Sequence, residues 1–589
     1  MYHFPVYGID LGSSNSCISL YRNGKLEAVE IGNDRTVPSC IAYTEQKCLI
    51  GSAAKDEEYR SSCIIFNKRI KGRSYAECQD FITEMRYPFD ICCDSFGYPV
   101  YRLPVGDHFI TKTPLEVDID FLRELIRLAV EKTGIPCEYF VITYPAFFDE
   151  RQKSVTQQAA ASLGPNCQCI GLLPEPVAAA EAASLPQSLH PRNVLVYDFG
   201  GGTFDVCILE SQLASFTVKQ CHGDTTIGGC DIDNCIFKRV YDYVCRYFND
   251  KSKPNPKLRD RKCLIKLRDC CEQAKKDLSS LTRAEIDLSF LGIDDPVVLM
   301  RKELERILKP FLKKSTDCCE QVIQNLPNHS LSSSDDSIIL VGGTSRIPAI
   351  KDQLISTFGV KVFDNINPDV IVSFGAARYG INIYCKTINP NIPNPFPDIP
   401  IQLMALHDIG ISFDSFGRKV IPVINIGDLA ETPIPVQIQA GFKKSKLHVF
   451  SREKSTGPWK YMGVISIPGI TKKELTMMID RNGMVQYEYT TSILKKVVKG
   501  TIATSQPIPA DQAEIIQKRY LRAMKYREYL EGLKAQCENH PRKDDIRKVC
   551  NDAIGQFFGT DAVRDVEEEA ITNYFNEIYK TLTCLWSAV

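Results

Sequence analysis

The sequence predicts a multidomain chain. A two-lobed α/β domain spans residues 1–384, a proline-rich linker 385–403, a β-sandwich 404–503 and a short α-helical segment 509–589. Three observations carry this reading. A glycine hairpin between strand-like runs occurs twice in the first part. The composition changes abruptly at 385–400. Beyond it, short alternating runs give way to helical spacing at 509.

The first observation rests on Val194-Leu195-Val196-Tyr197-Asp198-Phe199, followed by Gly200-Gly201-Gly202-Thr203 and Phe204-Asp205-Val206. It reads as two strands joined by a tight glycine turn. Glycines lack a Cβ, so the backbone can close on a bulky anion. The N–H groups of such a turn can point at phosphate oxygens as a nest. Asp198, at the strand end, is placed to hold Mg²⁺ through its water shell. A lone Gly-Gly-Gly is more often an ordinary hairpin tip, but this one has a partner. Tyr7-Gly8-Ile9-Asp10-Leu11-Gly12-Ser13-Ser14-Asn15-Ser16-Cys17-Ile18 repeats the pattern when Asp10 is aligned with Asp198. A phosphate hairpin used twice suggests two lobes with a nucleotide between them. No Gly-x-x-x-x-Gly-Lys-Ser/Thr is present, so this is not a P-loop.

The bulk properties agree with a globular chain. It has 589 residues, 44% hydrophobic and 24% charged, enough for about three domains. A net charge of −1 gives no general attraction to nucleic acid or to an anionic membrane. The 24 cysteines are scattered and contain no Cys-x-x-Cys, so they read as reduced, buried small hydrophobes. The first strand begins almost at the N-terminus and no apolar run reaches membrane-spanning length, which predicts a cytoplasmic protein with no membrane insertion.

The remaining elements follow in order. Asn67-Lys68-Arg69-Ile70-Lys71 is a basic loop, ordinarily a solvated surface. Its functional reading is a lysine reaching a γ-phosphate. Residues 114–133 have helical spacing, with Leu122, Leu125, Ile126 and Val130 on one face. Tyr139 to Thr143 reads as a strand ended by Pro145. Helix 150–163 leads to Pro174-Glu175-Pro176, an acid held between prolines before an alanine-rich helix. Such acids are common as caps, but this one is well placed for a cleft. Helix 260–282 carries Glu272, Lys275 and Ser279 on one face, with Lys276 beside them. That face is either solvated or a wall for a nucleoside. Leu340-Val341-Gly342-Gly343-Thr344-Ser345-Arg346 is another strand running into glycines, and Gly375-Ala376-Ala377 suits a close-packed helix.

Asn389-Pro390-Asn391-Ile392-Pro393-Asn394-Pro395-Phe396-Pro397 can be neither helix nor central strand. After it come alternating runs such as Val436 to Ala440 and Met477 to Tyr487, the latter holding Asn482-Gly483, a hairpin signal. From 509, Asp511 with Glu514 resembles a capping box. Ile516, Tyr520, Ala523, Leu530 and Leu533 then fall at helical spacing, as do Ile546, Val549, Ala553 and Phe557. Ile571, Phe575, Ile578, Leu582 and Leu585 complete a small bundle.

The paired hairpins resemble those of the actin, sugar-kinase and heat-shock ATPase superfamily. Within it, residues 6–384 resemble the ATPase domain of the seventy-kilodalton heat-shock chaperones. The matching motifs are Ile9 to Ser16, Lys68-Arg69, Pro145-Ala146, Glu175-Pro176, Asp198 to Asp205, Cys271 to Ser280 and Leu340 to Pro348. From 401 onward the likeness is one of layout, a β-sandwich and a helical lid. The resemblance implies an actin-like domain binding ATP and ADP with Mg²⁺ and K⁺. By position, Gly12, Ser13, Ser14 and Asn15 with Gly201, Gly202 and Thr203 would cradle the phosphates. Asp10 and Asp198 would hold the metal ions. Lys68 would stabilise charge on the γ-phosphoryl, and Glu175, Asp198 and Thr203 would position the attacking water. Glu272, Lys275, Lys276, Ser279, Gly343, Thr344, Ser345 and Arg346 would hold the nucleoside. The implied activity is slow ATP hydrolysis gating the binding of unfolded or nascent polypeptides. Implied partners are J-domain co-chaperones and nucleotide-exchange factors. Ile438 and Ala440 are candidate groove residues.

The chain also departs from that pattern. Ser13-Ser14 replaces a threonine pair, Lys153 an arginine, Pro174 an asparagine, and Gly171 a basic residue that helps receive J-domains. The acidic, leucine-rich linker becomes a proline-rich segment. Gly171, Pro174 and the changed linker support an alternative, a non-cycling co-chaperone or nucleotide-exchange factor. A small-molecule kinase would share the hairpins but not the later sandwich and lid.

Overall fold

The computed structural model describes residues 4–587 except 184–191, 213–214, 251–255, 259, 325, 327–329, 332–334, 364–366, 398–400, 406, 414–415, 418, 438–443, 453–456, 458, 469–473, 491–496, 503–512, 555–556 and 558–567. The duplicated hairpin belongs to a duplicated sheet. In the first sheet the strands Gln168–Pro174, Tyr139–Tyr144, Val6–Asp10, Asn15–Arg22 and Lys25–Ala28 lie in that spatial order. The first three run parallel and the rest antiparallel. In the second sheet Lys361–Phe363, Ser337–Val341, Arg192–Phe199, Phe204–Gln212 and Ser215–Asp224 follow the same order and the same change of direction. The central runs Val6–Ile9 and Val194–Phe199 are buried throughout, as strands covered on both faces must be. Each hairpin therefore opens at the C-terminal end of a parallel strand, where open α/β sheets bind ligands.

Each sheet has its own apolar core. A third cluster joins the two, made of Ala178, Ala179, Val194, Val196, Ile339 and Ala376 among others. Its centre is the crossing of two small-residue helices, Glu175–Ala182 and Ile371–Ile383. They meet backbone to backbone: a Cβ on Gly375 would lie 1.8 Å from the Ala178 carbonyl oxygen. On the other side of the second helix, a Cβ on Gly8 would lie 2.1 Å from the Ala377 nitrogen.

Both ends of the predicted linker are structured. Tyr384–Ile388 prolongs the preceding helix as a π-turn. Ile401–Gln402 adds a parallel edge strand to the second sheet, opposite Phe216 and Thr217. Between them Phe396 packs edge-on against Tyr21, ring centroids 5.3 Å apart.

Beyond the linker stand two four-stranded antiparallel sheets. One holds Ile421–Ile424, Asp408–Ser412, Lys444–Arg452 and Lys460–Pro468. The other holds Ile434–Gln437, Glu474–Ile479, Val485–Thr490 and Val497–Thr501. Alternate residues of both, including Ile409, Ile411, Leu447, Val449, Leu475, Met477 and Val485, share one core. The Asn482-Gly483 turn forms as its dipeptide predicts. Gly483 has φ 76°, and Asp480 accepts the Asn482 and Met484 N–H groups, each at 2.9 Å. Helices Ala513–Gln536, Lys543–Ala553 and Glu568–Ser587 bury Leu530, Ile546, Cys550, Ile571 and Leu582 together. Phe416, from the sheets, enters this bundle and stacks on Tyr574 at 4.3 Å. Asp511, Ile438, Ala440 and the side chains of Ile516 and Tyr520 lie outside the described residues.

The two halves touch through the Asn482-Gly483 hairpin. Tyr144 Oη donates to the Asn482 carbonyl (3.1 Å), the Leu172 N–H donates to Asn482 Oδ1 (3.1 Å), and Lys153 Nζ donates to the Gly483 carbonyl (3.3 Å). Among the described residues no helix is long and apolar enough to cross a membrane. Cys207 and Cys221 face each other on adjacent strands, Cα atoms 4.1 Å apart. The sequence separation of 14 carries no pairing signal, because the register of the two strands alone brings the thiols together.

Candidate functional site

The two hairpins meet tip to tip across the floor of a cleft of about 1370 Å³, its open mouth included. The approach leaves no room for side chains at the glycines. A Cβ on Gly201 would lie 2.0 Å from Ser14 Oγ, and one on Gly202 would lie 2.6 Å from Ser13 Cβ. A Cβ on Gly12 would lie 2.0 Å from the Asn15 carbonyl oxygen of its own turn. The small residues thus let two turns, rich in N–H groups, line one space.

Of the residues singled out in the sequence, Asp10, Gly12, Ser13, Ser14, Asn15, Lys68, Glu175, Asp198, Gly201 and Thr203 line this cleft. So do Glu272, Lys275, Lys276, Ser279, Gly343, Thr344 and Arg346. Two stand back from it. Gly202 packs against the other hairpin, and Ser345 Oγ donates to the Gly342 carbonyl within its own turn (2.6 Å). Thr344 ties the turn to the second hairpin through the Gly200 carbonyl (2.9 Å).

The basic loop is not solvated. Asn67–Arg69 is a buried 3₁₀ turn. Asn67 Nδ2 donates to Asp118 (2.7 Å) and Lys71 to the same carboxylate (2.8 Å). Lys68 is thereby aimed at Glu175, Nζ to Oε1 2.5 Å, with both side chains under a tenth exposed. Glu175 begins its helix behind Pro174, so backbone stiffness and the partial positive charge of a helix N-terminus hold its carboxylate in place. Arg69 crosses to the second lobe and pairs with Asp231 at 2.5 Å.

Around this pair the charge is unbalanced. Asp10, Asp198, Asp205 and Glu175 are buried together, and all four interact with the ammonium of Lys68. Burial, then the Glu175 carboxylate, pushes Asp10 up to about 7 and Asp205 likewise to about 7. The same causes, with Asp205 and Asp10 added, hold Asp198 well above the carboxylate range. Burial works against the charge on Lys68, but Glu175 and Asp10 outweigh it and raise its pKa. Among the described residues no three such side chains converge as direct ligands of one metal ion. The excess of carboxylates still fits a hydrated divalent cation, held at Asp10 and Asp198 through its waters.

On the far wall Glu272 pairs with Lys276 at 2.7 Å. Burial opposes its charge, yet Lys55, Lys276 and Lys275 hold it down to about 2. Lys275 is turned to Asp233 (2.8 Å) and the Gly229 carbonyl (3.0 Å). Arg346 pairs with Asp369 and donates to Asn367 Oδ1 at 3.0 Å.

Sequence reasoning gave no role to Asp205, Asp233, Asp369 or Thr36. For Asp205 a signal existed: it stands directly opposite Asp198 across the hairpin and accepts the Phe147 N–H at 3.0 Å. The duplicated pattern hid it, because Cys17 occupies the equivalent place in the first hairpin. Asp233 and Asp369 reach the cleft from segments with no motif of their own.

The charge on Asp205 has a measurable consequence. A buried carboxyl with a raised pKa stabilises the fold only while protonated, so stability falls as pH rises from about 4 through about 7. Asp205→Asn is therefore expected to stabilise the nucleotide- and metal-free protein at pH 8, on the order of 2–4 kcal/mol. The advantage should vanish toward pH 4. Urea unfolding at the two pH values checks this, and an equal effect at both would refute it.

Comparison with known proteins agrees with this geometry. Residues 6–584 match the family model described as Hsp70 protein. The chain belongs to the Hsp70 family. It is similar to heat shock 70 kDa protein 2 of Paracoccidioides lutzii, 29% identical over 565 residues, covering 92% of this chain and 81% of the relative. It is similar to the heat shock 70 kDa protein of Emericella nidulans, 29% identical with 85% and 77% covered. It is also similar to the chaperone protein DnaK of Anaplasma marginale, 28% identical with 82% and 74% covered. Hsp70 proteins are heat-shock chaperones and ATPases that bind ATP and ADP and engage unfolded polypeptides. This Hsp70 places its paired hairpins and the Lys68–Glu175 pair in one cleft.

Proposed function

We propose that this Hsp70 hydrolyses ATP slowly between the lobes of residues 1–384 and uses the two nucleotide states to gate unfolded polypeptides on the sandwich of 404–503, under the helical segment 509–589. The observation that carries the reading is the buried Lys68–Glu175 pair, set between the hairpin acids and facing the cleft. N–H groups of Gly12 to Asn15 and Gly201 to Thr203 cradle the phosphates. Lys68 follows the negative charge as it moves onto the departing oxygen and the transferring phosphoryl. Glu175, Asp198 and Thr203 orient the water that attacks. Water supplies the oxygen that ends on inorganic phosphate, and its proton passes to the buried carboxylate cluster. Asp10 and Asp198 would hold Mg²⁺ and K⁺, which would supply charge neutralisation of the phosphates. Glu272, Lys275, Ser279 and the Gly343 to Arg346 turn form the nucleoside wall. Both J-domain co-chaperones and nucleotide-exchange factors suit such a cycle.

Coupling between the halves is assigned to two contacts, the edge strand Ile401–Gln402 and the Asn482-Gly483 hairpin. Single-turnover hydrolysis with and without an unfolded apolar peptide tests the proposal. Acceleration by peptide is expected, and hydrolysis indifferent to peptide would overturn it in favour of a non-cycling relative. Gly483→Ala sharpens the test. At φ 76° a new Cβ would be strained and would lie 2.4 Å from Tyr144 Oη, so the hairpin and the Tyr144 hydroxyl cannot keep their present contact. This variant is expected to keep basal hydrolysis and lose the peptide response. A full response would refute the role given to the hairpin.

A further inference from the structure

Cys137 and Cys167 take no part in the nucleotide cleft. They precede neighbouring parallel strands, Tyr139–Tyr144 and Gln168–Pro174, whose register sets Tyr139 beside Gln168. The Gln168 N–H donates to the Glu138 carbonyl at 2.8 Å, so the two entrances to the sheet are tied side by side. The thiols meet there, Sγ to Sγ 3.7 Å. Cys137 is buried, whereas Cys167 is half-buried and lines a surface cleft of about 1270 Å³ with Gln157, Gly164, Cys169 and Asn482. One thiol is thus sheltered, and its neighbour faces a space large enough for a small oxidant.

We propose that Cys137 and Cys167 form a reversible redox-modification site, oxidised to a disulfide by hydroperoxides and restored by dithiol reductants. The order of attack follows from the surroundings. Their shared hydrogen bond lowers the Cys167 thiol pKa and raises that of Cys137 well above its ordinary value. Thiolate character and access therefore both select Cys167 as the first nucleophile. Its thiolate attacks the peroxide, the O–O bond breaks, and Cys167 sulfenic acid forms while the alcohol or water leaves. Cys137 sulfur then attacks the Cys167 sulfur. The S–S bond forms, the S–O bond breaks, and hydroxide leaves with the Cys137 proton as water. Two thiols are oxidised by two electrons, and one peroxide is reduced. A dithiol returns the electrons by exchange.

The site lies close to the contact between the halves. Three residues after Cys169, the Leu172 N–H is held by Asn482, which lines the same cleft. A crosslink at the strand entrances would stiffen the edge on which that hairpin rests.

The test uses the full chain, treated with hydrogen peroxide, alkylated and mapped by mass spectrometry. A peptide pair joined through Cys137 and Cys167, removed by dithiothreitol, is the expected product. In Cys137→Ser the resolving thiol is gone, and a sulfenic-acid probe such as dimedone should label Cys167. In Cys167→Ser no label should appear at residue 137. Circular dichroism on each variant separates loss of reaction from loss of fold. The proposal is overturned if folded wild-type protein yields no 137–167 crosslink under conditions that oxidise its other exposed thiols, or if dimedone labels Cys137 first.

Discussion

Lys68→Ala is expected to lower the single-turnover rate of ATP hydrolysis about 10²–10³-fold, the range seen when one preorganised charge stabiliser is removed, while ATP binding is largely retained. Binding should survive because, in the proposed function, backbone N–H groups of the two hairpins would cradle the phosphates and the opposite wall would hold the nucleoside. Hydrolysis should fail because the Lys68 ammonium interacts with Asp10, Asp198 and Asp205 together. The structure adds a second consequence. Removing Lys68 leaves Glu175 buried with its ion-pair partner gone, a penalty of about 3–5 kcal/mol for a buried pair broken on one side. Lys68→Ala should thus also lower the melting temperature, and adding Glu175→Gln should restore much of the stability but none of the hydrolysis. Nucleotide titration, single-turnover rates and thermal unfolding on the single and double variants separate the two effects. Undiminished turnover in Lys68→Ala would remove Lys68 from the reaction.

Gly375→Val should destabilise the protein more than any surface change, by about 3 kcal/mol or more. Its backbone conformation is ordinary helix, so the cost is not one of φ. The new Cβ would meet the Ala178 carbonyl oxygen at 1.8 Å and the Ala178 Cα at 2.9 Å, and backbone cannot step aside as a side chain can. The helix Glu175–Ala182 must shift, and with it the carboxylate at its first position. Hydrolysis should accordingly fall together with stability. Gly359→Ala is the control. Gly359 ends a helix at φ 66° with nothing within 4 Å of an added Cβ, so only conformational strain of about 1 kcal/mol is expected. Urea unfolding of both variants checks the comparison. Equal losses would mean that the two helices do not cross as closely as described.

Elements set by local chemistry were legible before any coordinates. The two hairpins, the helix 114–133 with its apolar face, the strand ended by Pro145 and the Asn482-Gly483 turn all depend on residues close in sequence. Periodicity and turn residues act over a few positions, so a linear reading captures them. The placement of Gly375 in a close-packed helix was legible for the same reason, since Gly375-Ala376-Ala377 combines helix-forming alanines with a run small enough for close approach.

What the tertiary structure decided lies in pairings between distant segments. Lys68 and Glu175 are 107 residues apart, and only the packing of a 3₁₀ turn against a helix N-terminus makes them an ion pair. The same holds for Asp205 facing Asp198 within a shared acid cluster, for Lys275 turning to Asp233, and for Ser345 folding back on its own turn. Cys207 with Cys221 and Cys137 with Cys167 are set by strand register, which a spacing in sequence does not encode. The hairpin at Asn482 was predictable as a turn but not as the seat of the contact with Tyr144, Lys153 and Leu172. The sequence by itself determined many of the local elements, the two glycine hairpins among them. Burial and the juxtaposition of charges, which depend on every other element at once, decided which side chains meet there.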